Sequence, residues 1–284
     1  MAHEDEADWV FRDRHPERGE VYARMDSESD RAYATLKLQR GLRYGDHPRE
    51  AFDLFPGHSG APLVVFFHGG YWQSLSRERF AFVADPLVRA GFNVALPGYP
   101  LAPEASLSAI VSAASIAVKV ATEAATAAGL APSGWIAAGH SAGAHLALMT
   151  ALSPQSVPLR GVVAISPICD LDPLRGTSLD SALKLTSEDV RSLSPARLPL
   201  PSARVQMIVG ADETAGFRGQ AFSHTARMVQ AGHDCSCREL PGLNHYTIPL
   251  EIRRPYSSIM AAVIELTGTP AGQGGTGLCL QGNV

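Results

Sequence analysis

From residue 63 onward, short continuous apolar runs alternate with stretches of helical periodicity, and this rhythm leaves the chain few architectures. Leu63 to Phe67, Asn93 to Leu96, Trp135 to Ala138 and Val162 to Ile165 are four such runs. Each has the length of a strand and no polar face, as expected of strands buried on both sides within a parallel sheet. Between the second and third, Leu107, Ile110, Val111, Ala114, Val118 and Ala121 fall at steps of three and four, the stripe of an amphipathic crossover helix. Val205 to Val209 and Cys235 to Leu240 supply two later strands on either side of a helical stretch from Phe217 to Gln230, and a last helix is expected from Pro255 to Leu266. The pattern predicts an α/β fold, a mostly parallel central sheet with helices on both faces.

Three regions break the rhythm. The first 45 residues are polar and read as an irregular arm that partly covers the domain. Residues 170–195 interrupt the sheet between two strands and read as a small helical cap insertion. Residues 268–284 are glycine-rich without periodicity and read as a flexible tail. With 284 residues, 45% of them hydrophobic, one α/β domain over residues 1–267 is the simplest division.

A net charge of −4 gives no electrostatic reason to expect nucleic acid or an anionic membrane as partner, and a small, roughly neutral ligand fits better. The charged stretch from Met1 to Glu20 has no apolar core of a secretory signal, and no run of 18 apolar residues occurs, so the expectation is a cytoplasmic protein; a homodimer is left open. Cys169, Cys235, Cys237 and Cys279 lack metal-ligand spacing and are too sparse for a disulfide scaffold, so they read as reduced thiols.

Gly139-His140-Ser141-Ala142-Gly143 matches G-x-S-x-G, directly after the apolar run Trp135 to Ala138 and before the helical run His145 to Leu152. That context is the nucleophile elbow of an α/β-hydrolase, with Ser141 on a tight strand-to-helix turn. His68-Gly69-Gly70-Tyr71-Trp72 follows the strand Leu63 to Phe67, where this fold carries half of its oxyanion hole. By analogy with H-G-G-G hydrolases the backbone N–H groups of Gly70 and Tyr71, in the loop opened by Gly69, would donate together with that of Ala142. His68 reads as a brace for this loop, His140 as pointing away from the nucleophile's chemistry, and His224 and His233 as surface residues. The general base must come late in the chain, and His245, after the last strand, fits. The acid is open between Glu213, three residues after Gly210, its neighbour Asp212, and Asp170 after the preceding strand.

These residues resemble the metal-independent kynurenine formamidases, or arylformamidases, of the α/β-hydrolase superfamily, over most of the chain from about Tyr44 to His245. Tyr44-Gly45-Asp46-His47-Pro48 with Phe52-Asp53-Leu54-Phe55-Pro56 is similar to that family's opening segment. His68 to Gln73 is similar to its oxyanion loop, where the Tyr-Trp-Gln extension differs from the H-G-G-G esterases. Asp170 to Leu174, with Thr177, Leu183 and Ser194-Pro195, resembles its insertion, and Glu213-Thr214, Phe217 and Gln220 its acid loop. The resemblance implies a triad of Ser141, Glu213 and His245, no metal or other cofactor, and hydrolysis of N-formyl-kynurenine to kynurenine and formate through a formyl-enzyme. An aromatic small-molecule substrate would pack against Tyr71, Trp72 or Tyr246. The competing reading is a carboxylesterase acting on small acyl or aryl esters, since the machinery is the same and pocket shape alone differs.

Overall fold

In the computed structural model, which describes residues 2–254 and 256–267, the apolar runs form the middle of an eight-stranded sheet. Its strands are β1 (Gln39–Arg43), β2 (Ala51–Phe55), β3 (Leu63–Phe67), β4 (Asn93–Pro97), β5 (Trp135–His140), β6 (Leu159–Ile165), β7 (Arg204–Gly210) and β8 (Cys235–Leu240), in the spatial order β1-β2-β4-β3-β5-β6-β7-β8. From β4 to β8 all neighbours are parallel, whereas β2 runs antiparallel to β4 and β1 to β2. Every residue of β3, β4 and β5 is buried, which is why these strands carry no alternating polar face.

Nine α-helices connect or flank these strands among the described residues: α1 (Ala2–Trp9), α2 (Arg18–Thr35), α3 (Ala84–Arg89), α4 (Leu107–Ala127), α5 (Ala142–Thr150), α6 (Asp180–Leu183), α7 (Ser187–Leu193), α8 (Ala215–Gln230) and α9 (Ser258–Glu265). The crossover helix α4 is capped by Ser106, whose hydroxyl accepts a hydrogen bond from the Ala109 N–H at 3.2 Å and so satisfies one of the free donors of the first turn. Leu107, Ile110, Ala114, Val118 and Ala121 of the predicted stripe are buried along one face, and Val111 at its edge is half-buried. By length and composition α4 passes as a membrane-crossing helix, but that stripe is covered by the core. The final helix begins at Ser258, three residues later than expected, with Ser257 as its cap; Pro255 lies outside the described residues, as do Cys279 and the glycine-rich segment 268–284.

The N-terminal segment departs from the expectation of an irregular arm, since most of it is helical. Val21, Met25, Ser29 and Ala32 are the buried positions of α2, about one per turn, and so narrow a seam is masked by the charged residues around it. The seam sits on the turn Glu78–Val83. There Arg79 forms a two-pronged ion pair with Asp26 at 2.7 and 2.8 Å, and the Ser29 hydroxyl donates to the Arg79 carbonyl and accepts from the Phe82 N–H. The two N-terminal strands, outside the rhythm read from the sequence, close one side of the sheet. Asp53 of β2 is fully buried and accepts from the Tyr33 hydroxyl (2.7 Å), the Gly41 N–H (2.7 Å) and Arg77 Nε (3.2 Å), so a carboxylate is tolerated inside because donors surround it.

Two smaller corrections concern polar side chains. His224 is buried rather than on the surface, and burial pushes its pKa down to about 4. Cys169 is buried and Cys235 and Cys237 are half-buried free thiols; burial pushes the latter two up to about 11, where little reactive thiolate exists near neutral pH.

Candidate active site

The topology brings the two glycine loops together. β3 and β5 are neighbours in register from Leu63↔Trp135 to Phe67↔Gly139, but the chain leaves β3 toward β4 on one side and returns to β5 on the other. Loops diverge at such a reversal, and the crevice beyond the carboxyl ends is where ligands bind in open α/β sheets. Here the crevice lies between the loop after β3 and the elbow after β5. The fit is tight: a Cβ on Gly69 would lie 3.3 Å from Ser141 Cβ and 3.1 Å from the His140 carbonyl, and one on Gly143 would lie 2.1 Å from the Phe67 carbonyl. Side chains at these positions would force the loops apart.

Ser141 has φ 58° and ψ −121°, a conformation unfavourable for a residue with a Cβ and held by its surroundings. Its N–H donates to the Ile165 carbonyl at 2.8 Å, and its carbonyl accepts from the N–H groups of Ala144 and His145. Although Ser141 occupies the N-cap of α5, its hydroxyl caps nothing; a stabilisation of about 1 kcal/mol is forgone and the Oγ stays at the cavity. Ser141 Oγ and His245 make no hydrogen bond to each other, but both line that cavity.

In the facing loop Gly70, Tyr71 and Trp72 are successively at φ 115°, 51° and 57°. The turn is closed by the N–H groups of Gln73 and Ser74, both donating to the Gly70 carbonyl at 3.0 Å. The N–H groups of Gly70, Tyr71 and Ala142 have no acceptor among the described residues, as the oxyanion-hole reading expects. His68 braces the loop: its Nδ1 lies 2.7 Å from the Gly69 carbonyl, its ring stacks on Tyr99 at 4.2 Å, and burial pushes its pKa down to about 3, so the imidazole is neutral.

The acid and base come from the next loops along the sheet. Glu213, just past β7, is buried with both carboxylate oxygens occupied: Oε1 accepts from the Ser166 hydroxyl at 2.5 Å and the Gly210 N–H at 2.7 Å, and Oε2 faces His245 Nδ1 at 2.7 Å. Asp212 is exposed and its side chain has no partner among the described residues, although its N–H donates to the Leu243 carbonyl at 3.1 Å and so ties the two loops together. Asp170 is engaged with Arg197. The carboxylate of the pair is therefore that of Glu213. Asn244 shapes the histidine loop, its side-chain oxygen accepting from the N–H groups of Tyr246 and Thr247, an Asx turn.

Three rings surround the pair, of which Phe11 was not singled out from the sequence. Phe217 lies 4.2 Å from the His245 ring between centroids, His140 4.6 Å, and Phe11 of the N-terminal segment 5.3 Å, edge-on. His140, expected to point away, lines the cavity, and burial together with the neighbouring His245 pushes its pKa well down, leaving it neutral. The cavity has an accessible volume of about 50 Å³, and Phe11, Arg12, Tyr22 and Met25 form its N-terminal wall beside Tyr71 and Tyr246. Residues 170–195 carry the short helices α6 and α7 and line none of this cavity; the cover is the N-terminal segment, held by the Tyr71 hydroxyl on the Trp9 carbonyl (2.7 Å), Thr214 Oγ1 on the Asp8 carbonyl (2.8 Å) and Asn244 on Glu17 (3.0 Å). Trp72 is corrected from pocket to core: it is fully buried, edge-on to His145 at 4.9 Å and absent from the cavity wall. The sequence signal for the wall was present in Phe11, Tyr22 and Met25, isolated aromatic and apolar residues in a charged segment.

A family model described as the alpha/beta hydrolase fold matches residues 64–248. The chain is 31% identical to the kynurenine formamidase of Danio rerio over 79% of its own length and 80% of that protein's, and 31% identical to the kynurenine formamidase of Salmo salar over 78% and 79%. Among solved structures, a Silicibacter sp. protein assigned as a thioesterase superposes with a TM-score of 0.77 at 28% identity, covering 91% of this chain and 96% of that one.

Proposed function

The chain belongs to the α/β-hydrolase family and, within it, to the kynurenine formamidases, and from that premise we propose that it hydrolyses N-formyl-kynurenine with Ser141 as nucleophile, His245 as base and Glu213 as the orienting acid. The observation that carries the assignment is the buried Glu213–His245 pair at 2.7 Å, opening on the cavity that Ser141 lines. Glu213 Oε2 accepts the Nδ1 proton of His245, which leaves Nε2 unprotonated and able to take a proton from the serine.

In this scheme Ser141 Oγ adds to the formyl carbon while its proton passes to His245. The carbonyl oxygen, now an oxyanion, is met by the free N–H groups of Gly70, Tyr71 and Ala142. The C–N bond then breaks, His245 gives its proton to the departing aryl amine, and kynurenine leaves a formyl ester on Ser141. Water, deprotonated by His245, adds to that ester; the bond to Ser141 Oγ then breaks, His245 returns the proton to the serine, and formate is released. Glu213 stays ionised throughout and stabilises the imidazolium formed at each proton transfer. A formyl group makes the smallest steric demand on the acyl side of the site, since its carbon bears only hydrogen.

The deciding experiment compares kcat/KM for N-formyl-kynurenine with that for p-nitrophenyl acetate. Higher efficiency on the formamide is expected. Efficient ester cleavage with negligible formamide hydrolysis would transfer the chain to the carboxylesterase reading.

A further inference from the structure

On the reading above the scissile formamide lies at Ser141, and the far end of the cavity must then accommodate whatever the aryl ring carries. Among the described residues that line the cavity, Arg12 is the one with a permanent charge; the remaining walls are aromatic, aliphatic or neutral polar. It sits in a single helical turn, Arg12–Arg14, directly after Phe11, whose ring touches that of His245. Its neighbours are engaged, with Arg14 donating to the Ala7 carbonyl at 2.8 Å and His15 paired with Glu17. Arg12 has no ion pair and no side-chain hydrogen bond among the described residues, and it is exposed.

Arg12 lines the cavity together with Tyr22, Tyr71 and Tyr246, and its charge opposes the rise that burial causes in the pKa of each phenol. A second cation, Arg18, lies over the Tyr246 ring at 5.8 Å and keeps one buried nitrogen without a partner. No carboxylate lines the cavity to compensate either cation; Glu213 is turned away behind His245. A guanidinium beside apolar walls, with its donors free, is suited to a carboxylate.

We propose that Arg12, contributed by the N-terminal segment, is a specificity-determining residue that binds an anionic group on the leaving-group side of the substrate, so that the site selects aryl formamides whose ring bears a side chain ending in carboxylate. The same segment that shields the catalytic histidine through Phe11 thereby reads the remote end of the substrate.

The test is a ratio. For the wild-type enzyme kcat/KM is measured on N-formyl-kynurenine and on its decarboxylated analogue, N-formyl-kynuramine, and the carboxylate-bearing substrate is expected to be favoured by about tenfold or more. Arg12→Gln is expected to bring the ratio close to one, chiefly through KM, and Arg12→Lys to retain part of it because the charge remains without the planar fork. The ratio cancels any general loss of activity in the variants. Raising the salt concentration should shrink the wild-type ratio as the pair is screened. A ratio unchanged in Arg12→Gln, or a wild-type preference insensitive to salt, overturns the proposal. Should the enzyme cleave aryl acetates but no formamide, the formamidase reading itself fails, and the same comparison on phenyl acetate with and without a ring-borne propionate still decides the role of Arg12.

Discussion

Replacing Glu213 by Gln changes one oxygen for an NH₂ group, and the structure fixes the consequences. With the new NH₂ turned toward His245, the amide oxygen still accepts from Gly210 and Ser166, but His245 Nδ1 must become an acceptor and its proton moves to Nε2. That tautomer cannot take the proton of Ser141. With the amide turned the other way the tautomer is preserved, but the NH₂ then faces the Gly210 N–H, which lies 2.7 Å from Oε1 in the native enzyme. Two donors buried against each other cost about 1–3 kcal/mol. The inactive arrangement is therefore favoured by about that amount, and the productive tautomer falls to roughly a tenth to a hundredth of the population. Loss of the negative charge that stabilises the imidazolium adds to this, so kcat/KM should drop by about 10³- to 10⁴-fold. Measuring Glu213→Gln and Asp212→Asn side by side on N-formyl-kynurenine, with thermal midpoints to confirm folding, checks the argument. Loss within tenfold for the folded Glu213→Gln enzyme, or a larger loss for Asp212→Asn, would refute it.

Ser141→Ala should lower turnover by about 10³-fold or more and abolish covalent labelling by a fluorophosphonate; a folded variant that is still labelled at a different serine would move the nucleophile. Phe11→Ala removes a buried ring that touches His245, Phe217 and Tyr246, so it should destabilise the fold by about 3–5 kcal/mol and reduce kcat/KM, read from urea unfolding and steady-state kinetics. Burial also lowers the pKa of His145 to about 4. The unfolded chain then binds more protons than the folded one from about pH 6.5 down to 4, and stability should fall with pH across that window by on the order of 3 kcal/mol for this residue. Urea midpoints from pH 7 to pH 4 test it, with His145→Gln expected to flatten the slope.

The sequence by itself determined the parts of this protein that local pattern can encode. The core strands β3 to β7 announce themselves because burial on both faces demands largely apolar runs, and the elbow does so because a serine squeezed between strand and helix needs glycines at fixed offsets. The glycine-plus-three spacing already favoured Glu213, but two adjacent carboxylates look alike until the loop is folded; the bonds from Gly210 and Ser166 and the tether of Asp212 N–H to Leu243 decide between them. The N-terminal wall was hidden for a different reason. Phe11 and Arg12 stand more than 100 residues from Ser141 in sequence, in a segment whose narrow apolar seam is diluted by charge, and their meaning arises only when α2 docks on Glu78–Val83 and carries them over His245. Trp72 shows the converse: it follows the oxyanion glycines directly, yet successive left-handed residues turn its ring into the core. Local chemistry is written in the chain order, whereas the composition of a cavity wall depends on long-range packing that no short window of sequence contains.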